Sequence, residues 1–258
     1  MDLKVSVITV CRNAEEFIEQ AITSVLEQTY ENIEYIVIDG KSTDNTVSII
    51  NKYLDKICYF VSEPDNGVYD AMNKGIKNSS GDILYFLNSD DTFYDKYVIE
   101  NVIRFFQHKD NVDFVYGPVI VFDPITNESF VKTYENITKS YFINNVICQQ
   151  AIFYKADSFK KIGFFDNTLK IVGDYEWELR AIRRFNIEIA YYPQIVSVYR
   201  NGGISSPHGS VELNQEEQRR VFRSYFSKVD IYNYYLINKP TYIFSYIHNI
   251  IKKCIHKY

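Results

Sequence analysis

Short apolar runs alternate with longer segments of helical periodicity through the first half of the chain. Four runs of five or six residues predict buried strands over 5–10, 33–38, 57–61 and 83–87. The segments between and after them space apolar residues three and four positions apart, which predicts helices over 14–28, 43–54, 67–77 and 96–107. Strands that alternate with helices in this way are typical of parallel βαβ units. We therefore predict an open, mixed but mostly parallel α/β sheet flanked by helices.

Beyond residue 113 the pattern changes to β-rich runs. We predict strands over 114–122, 130–134, 151–154, 187–192 and 196–199, which would join the same sheet, and helices over 175–184 and 211–226. A chain of 258 residues suits one large domain, because single hydrophobic cores stop growing near this length. The predicted organisation is an α/β domain over 1–226 with a C-terminal helical appendage over 227–258.

The appendage differs from the rest of the chain in charge. The formal net charge of the protein is −5, but residues 231–258 contain four lysines and no acidic residue, so the remainder carries −9. From residue 240 onward, apolar residues recur at helical spacing with lysines among the polar positions. Such a helix could lie in the plane of an anionic membrane. It could equally pack on the α/β domain or on a second subunit.

Composition and charge exclude several classes of protein. An acidic chain is a poor binder of nucleic acid, whose phosphates are neutralised by Lys and Arg. No apolar run approaches 18 residues, so no transmembrane helix is predicted, and the N-terminus lacks the pattern of a signal peptide. The four cysteines are far apart and form no CxxC pair, which disfavours a zinc site or a disulfide framework. We expect a cytoplasmic protein with reduced thiols.

Polar residues follow each of the first four predicted strands, where ligands gather in an open parallel sheet. The chain contains neither GxGxxG nor GxxxxGK[ST], so a Rossmann dinucleotide site or a P-loop is not expected. Asp90 and Asp91 are adjacent carboxylates that would repel each other unless a cation lies close by, and Mg²⁺ and Mn²⁺ prefer such oxygen ligands. Taken alone, these residues could also be a helix cap, as could Asp174.

The chain resembles the family 2 nucleotide-sugar glycosyltransferases of the GT-A fold, and in particular bacterial enzymes that add single sugars during surface-polysaccharide assembly. In order and spacing the resemblance covers roughly residues 4–205. The segments that carry it are VSVITVCRN at 5–13, IDGKSTDNT at 38–46, SEPDNGVYDAMNKGI at 62–76, GDILYFLNSDD at 81–91, CQQAIFY at 148–154 and GDYEWELR at 173–180.

The resemblance implies a role for each matching residue. Those expected to bind the donor are Thr9, Arg12 and Asn13 at the end of the first strand, Asp39 on the nucleotide base, and Ser89 and Asp90 in the DxD-type motif. Asp91 is the expected ligand of a Mn²⁺ or Mg²⁺ ion on the diphosphate, and Asp174 the expected catalytic base. Asp70 and Asn73 could bind sugar or ribose hydroxyls, or could simply be polar residues at the start of a helix.

Two positions depart from the family pattern. Ser89 stands where many relatives have Asp, which leaves the metal with fewer carboxylates, and Gly40-Lys41 stands where relatives often have Asp-Gly. The implied activity is an inverting, metal-dependent transfer of one sugar from a nucleotide-sugar, expected to be a UDP-sugar, to a hydroxyl of a growing glycan or lipid-linked glycan. The alternative is a non-catalytic nucleotide-sugar-binding or regulatory protein on the same fold. Peripheral contact with the inner face of the membrane and self-association are both left open.

Overall fold

The computed structural model describes residues 3–109, 111–135, 137–138, 141–143, 145–202, 211–227 and 229–230. Almost all of the predicted C-terminal appendage, from residue 231 onward, lies outside the described residues, so its helix remains a prediction. Across the described ranges, no helix is both long enough and apolar enough to cross a membrane.

The described residues form eleven strands and seven helices. The strands are β1 (Val5–Cys11), β2 (Ile33–Asp39), β3 (Tyr59–Ser62), β4 (Ile83–Phe86), β5 (Thr92–Phe93), β6 (Phe114–Tyr116), β7 (Val119–Asp123), β8 (Glu128–Lys132), β9 (Ile152–Lys155), β10 (Ile189–Tyr191) and β11 (Ser197–Arg200). The helices are α1 (Ile18–Leu26), α2 (Thr46–Ile50), α3 (Val68–Lys77), α4 (Val98–Gln107), α5 (Ala156–Ile162), α6 (Gly173–Arg184) and α7 (Val211–Tyr225).

The larger sheet has seven strands in the order β10-β6-β9-β4-β1-β2-β3. Strand β9 runs antiparallel to both of its neighbours, while the other adjacent strands pair in parallel. All seven residues of the central strand β1 are buried, as expected for a parallel strand covered on both faces. The mixed, mostly parallel α/β sheet predicted from the sequence is confirmed.

Each face of this sheet carries its own hydrophobic core. One face packs against α1 and α4, and the other packs against α3, α5 and α6. Helix α3 comes so close to β1 that a Cβ on Gly75 would clash with Cγ2 of Ile8. Any larger residue at position 75 would push α3 away from the strand whose end forms the site described below.

The second half of the chain differs from the prediction of a single sheet. Strands β5, β11, β7 and β8 form a separate four-stranded sheet in that order. The run predicted as one strand over 114–122 is divided at Gly117-Pro118 into β6, in the larger sheet, and β7, in the smaller one. Pro118 has no N–H to donate to a ladder, which favours a break at this point. Strand β5 and helix α5 were not predicted.

Candidate active site

A cavity of about 910 Å³ lies at the carboxyl ends of β1 and β4. Its walls come from the residues that follow these strands and from α3, α6 and α7. This is the edge at which open α/β sheets bind their ligands. The sequence-predicted site residues that line the cavity are Arg12, Ser89, Asp90 and Asp174.

One wall of the cavity is the segment that follows β4. Asn88, Ser89 and Asp90 all line it. The pKa of Asp90 is raised by burial, and the nearby guanidinium of Arg200 partly offsets that rise. The Oδ1 atom of Asn88 is buried and has no hydrogen-bond partner within the described part of the chain. The segment therefore combines a partly buried carboxylate with an amide oxygen whose hydrogen-bonding capacity is unused.

These oxygen atoms fit a divalent cation. Sites for Mg²⁺ usually use one or two carboxylates and take their other ligands from substrate phosphates and water. No group of three or more His, Cys, Asp or Glu side chains among the described residues could hold a metal by itself. A cation held by Asp90 and Asn88 would thus need oxygen atoms from a bound ligand to complete its coordination.

Asp91, predicted as the metal ligand, lies beneath the cavity and not on its wall. It is 1% exposed, with Oδ2 accepting a hydrogen bond from Nε2 of Gln150 and Oδ1 accepting one from the backbone N–H of Arg200, both at 2.8 Å. Burial raises its pKa well above the usual range, and the charge of Asp90 adds to the rise. Since both oxygens are used internally, the geometry favours Asp90 over Asp91 as the residue that faces a cation.

Asp174 lines the cavity from the first turn of α6, which begins at Gly173. Asp174 is therefore the second residue of the helix. The alternative interpretation of the sequence made it the N-cap residue, but the N-cap is Val172. Burial raises the pKa of Asp174 above its ordinary value. A carboxylate with such a pKa is a stronger base than a solvated one, and a general base works best when its pKa approaches the working pH.

Tyr69, on α3, fixes the orientation of Asp174. Its hydroxyl lies 2.9 Å from Oδ1 of Asp174 and 2.7 Å from the carbonyl oxygen of Ile171. A Cβ on Gly173 would lie 2.7 Å from two atoms of the Tyr69 ring, so only glycine at position 173 lets the ring approach this closely. Tyr69 was not among the sequence-predicted site residues, although it falls within the segment 62–76 that carries the resemblance.

A second buried carboxylate, Glu178, lies one helical turn after Asp174 on the same face of α6. Its Oε2 accepts a hydrogen bond from the backbone N–H of Ile147 at 3.2 Å, whereas Oε1 has no partner within the described ranges. Burial raises the pKa of Glu178 well above its usual value, and the charge of Asp174 raises it further. The interior beneath the base therefore makes ionisation of Glu178 less favourable than it is in water.

Two of the residues predicted to bind the donor are engaged inside the fold. Thr9 is fully buried and accepts a hydrogen bond from the hydroxyl of Tyr35 at 3.1 Å. Asn73 binds the backbone of Phe165 through both its Nδ2, at 2.9 Å, and its Oδ1, at 3.0 Å. Neither side chain lines the cavity, so their contact with the donor stays a prediction.

Three further predicted donor-binding residues lie near the cavity but shape loops rather than its wall. Asp39 is buried and accepts hydrogen bonds from Ser42 and from Ser62, whose hydroxyl is 2.6 Å away. Asn13 accepts a hydrogen bond from the backbone N–H of Thr43 at 2.8 Å. Asp70, on α3, accepts one at 3.0 Å from the backbone N–H of Asn66, which lies in the loop before that helix.

Comparison with known proteins shows which family the chain belongs to. The family model described as glycosyl transferase family 2 matches residues 6–163, more than half of the chain. The chain belongs to glycosyl transferase family 2. The matched segment contains β1 from Ser6 onward, β4 and the Asn88–Asp90 wall, and it ends before Asp174.

Curated relatives of the chain are also named glycosyltransferases. The chain is 30% identical over 205 residues, 78% of either chain, to a PGL/p-HBAD biosynthesis glycosyltransferase of Mycobacterium bovis. It is 32% identical to an uncharacterized glycosyltransferase of Rickettsia typhi over 233 residues, an alignment that covers 87% of this chain and 71% of the relative. Family membership and these relatives make the protein a glycosyltransferase enzyme.

Solved structures of low sequence identity share the fold of this family 2 glycosyltransferase. S. aureus TarS, residues 1–349 in complex with UDP-GlcNAc, matches 85% of this chain with a TM-score of 0.69 and 21% identity, and this chain spans only 65% of that one. A mannosyltransferase from Pyrobaculum calidifontis in complex with GDP-Man and Mn²⁺ matches 77% of this chain and 57% of that one, with a TM-score of 0.61 and 18% identity. The sheet and its flanking helices thus form the GT-A architecture.

Proposed function

We propose that the enzyme transfers one sugar from a UDP-sugar to a hydroxyl of a growing cell-surface glycan, with inversion at the anomeric carbon and with the help of a divalent cation. The observation that carries this proposal is a single cavity with two chemically different walls. Asn88, Ser89 and Asp90 supply oxygen atoms on one wall, and Asp174 supplies a carboxylate of raised pKa on another.

The donor diphosphate is proposed to lie against the segment 88–90. A divalent cation bound there, Mn²⁺ or Mg²⁺, would supply Lewis-acid neutralisation of the charge that develops on the leaving nucleoside diphosphate. Asp90, with the unpartnered Oδ1 of Asn88, is the group that would hold it. This assignment replaces Asp91, whose two oxygens are hydrogen-bonded to Gln150 and Arg200 in the interior.

Asp174 is proposed to accept the proton of the acceptor hydroxyl as that oxygen attacks the anomeric carbon. A single displacement from the face opposite the leaving group inverts the configuration. The Tyr69 hydroxyl, 2.9 Å from Oδ1, holds the carboxylate in place, and burial raises the pKa of Asp174 and so makes it a stronger base. Lys132, which also lines the cavity, lowers the pKa of Asp174 slightly and so limits the rise.

The relatives guide the choice of nucleotide and acceptor. One structural relative is in complex with UDP-GlcNAc and another with GDP-Man and Mn²⁺. We favour uridine because the relative in complex with UDP-GlcNAc has a TM-score of 0.69, above the 0.61 of the relative in complex with GDP-Man. We favour a glycan or lipid-linked glycan acceptor because a curated relative is named for PGL/p-HBAD biosynthesis, and because the basic tail after residue 240 suits a membrane surface.

A panel of nucleotide-sugars tested by thermal shift, with Mn²⁺ or with a chelator, addresses the donor directly. A donor at 100 times its Kd stabilises the folded state by about 2.7 kcal/mol, which raises the Tm of a domain of this size by roughly 5–10 °C. We expect UDP-sugars to produce this shift only when Mn²⁺ is present. A shift with GDP-sugars alone would overturn the choice of nucleotide, and retained anomeric configuration in the NMR spectrum of the product would overturn inversion.

A further inference from the structure

Helix α7 lines the cavity with some of its residues and contacts the loop that precedes α6 with another. Asn214, Gln218 and Phe222 of α7 line the cavity. On the same helix Glu217 is only 6% exposed, although its neighbour Glu216 is exposed. A charged side chain buried to this extent is stable only if it is well hydrogen-bonded, so its partners report what it does.

The partners of Glu217 are three consecutive backbone amides. Its Oε1 accepts a hydrogen bond from the N–H of Lys170 at 2.7 Å, and its Oε2 accepts from the N–H of Ile171 at 2.9 Å and of Val172 at 3.3 Å. Hydrogen bonds to an ionised acceptor are roughly twice as strong as neutral ones. One carboxylate therefore fixes the backbone of the loop 170–172.

This loop leads directly to the proposed base. Val172 is the residue before α6, and Asp174 lies in the first turn of that helix. The Tyr69 hydroxyl shares its single proton between two acceptors, the carbonyl oxygen of Ile171 at 2.7 Å and Oδ1 of Asp174 at 2.9 Å. A continuous set of hydrogen bonds therefore runs from Glu217 through the Ile171 peptide and Tyr69 to Asp174.

We propose that Glu217 is a positioning residue for the base Asp174, an inference that rests on the proposed function. It contacts the backbone that carries the base and not the reacting atoms. Because the donor wall at Asp90 lies on a different element, loss of the Glu217 carboxylate should disturb the chemical step and leave nucleotide binding intact. Displacements near 1 Å at a reacting group can cost on the order of 100-fold in rate.

The variant Glu217→Gln tests this proposal in the full-length protein. Its amide oxygen can still accept hydrogen bonds, but its NH₂ group turns a donor toward one of the backbone N–H groups. The substrate is the UDP-sugar that the wild type turns over, and kcat is measured as UDP release. We expect kcat to fall at least tenfold, while UDP affinity in the presence of Mn²⁺ stays within about twofold of wild type. The matched control is Glu216→Gln, the same charge change on the exposed neighbour, which should alter neither value.

Hydrogen exchange supplies a readout that does not need turnover. Amides in the peptide 169–174 should exchange faster in Glu217→Gln than in wild type or in Glu216→Gln. If Glu217→Gln does not fold, Glu217→Asp, which keeps the charge but shortens the reach, should show the same two effects at smaller size.

Three results would overturn the positioning role. They are an unchanged kcat in Glu217→Gln, an equal loss of kcat and UDP affinity, and unchanged exchange of the peptide 169–174. Failure of the proposed function looks different, because wild type itself would then release no UDP from any UDP-sugar. That outcome would remove this inference together with the function on which it rests.

Discussion

The substitution Tyr69→Phe removes one hydroxyl and should distinguish its effect on catalysis from its effect on stability. The side chain is 4% exposed, and its hydroxyl is 2.7 Å from the Ile171 carbonyl and 2.9 Å from Asp174. The substitution leaves a buried carbonyl without its donor, which costs about 1–3 kcal/mol. For a domain of this size the Tm should fall by roughly 2–12 °C.

The same substitution should change the pH dependence of the reaction. The Tyr69 hydrogen bond lowers the pKa of Asp174 against the larger effect of burial, so its loss raises that pKa further. A base acts only when ionised, and the acid limb of the kcat profile should therefore move to higher pH. Each pKa unit of movement lowers the rate about tenfold on that limb. Turnover should therefore fall more at the acid end of the pH range than at its alkaline end.

The assay is UDP release between pH 5 and 9, paired with thermal or urea unfolding of each variant. Tyr35→Phe is the matched control, because the Tyr35 hydroxyl is also buried but donates to Thr9, away from the cavity. It should lose stability without any shift of the kcat profile. A Tyr69→Phe profile that superimposes on wild type, or an equal shift in Tyr35→Phe, would refute the reasoning.

Three other predictions concern the cation, the buried acid and the tail. Asp90→Asn should lose the Mn²⁺-dependent part of UDP affinity. Asp91→Asn should keep that part and lose about 1–3 kcal/mol of stability, because its internal hydrogen bonds are weakened. Equal Mn²⁺ dependence in wild type and Asp90→Asn would contradict this prediction. The pKa of Glu178 in the folded protein is raised above its usual 4.5, so the free energy of unfolding of the wild type should fall as the pH rises above 4.5. In urea titrations at pH 4.5–8, Glu178→Gln should make this decline smaller. Deletion of 240–258 should reduce sedimentation with anionic liposomes without weakening UDP binding, and unfolding of the truncated protein would instead indicate a core role.

The larger sheet was predictable because its strands are continuous apolar runs that alternate with helices. The smaller sheet was not, because an apolar run does not specify the sheet that it joins. The residues around Pro118 illustrate this: β6 and β7 look like one strand in the sequence, and only their pairing with β9 and with β8 and β11 divides them.

The site was predictable in its location but not in its details. Asp90 and Asp91 are chemically identical neighbours, and what distinguishes them is contact with Gln150 and Arg200, 59 and 109 residues away in the sequence. Similarly, Glu217 is one of many charged residues in α7. Only its helical spacing four residues before the buried Val221 hinted that it faces inward.

The measurement that most directly tests the account is turnover of Asp174→Asn alongside its affinity for UDP in Mn²⁺. If Asp174 is the base, turnover should fall 10²–10⁴-fold, about 2.7–5.5 kcal/mol of activation free energy, while UDP affinity stays within about twofold of wild type. The substitution is nearly isosteric, and the amide oxygen of Asn can still accept hydrogen bonds from the first turn of α6, so the fold should persist. Turnover within about threefold of wild type would contradict the central claim.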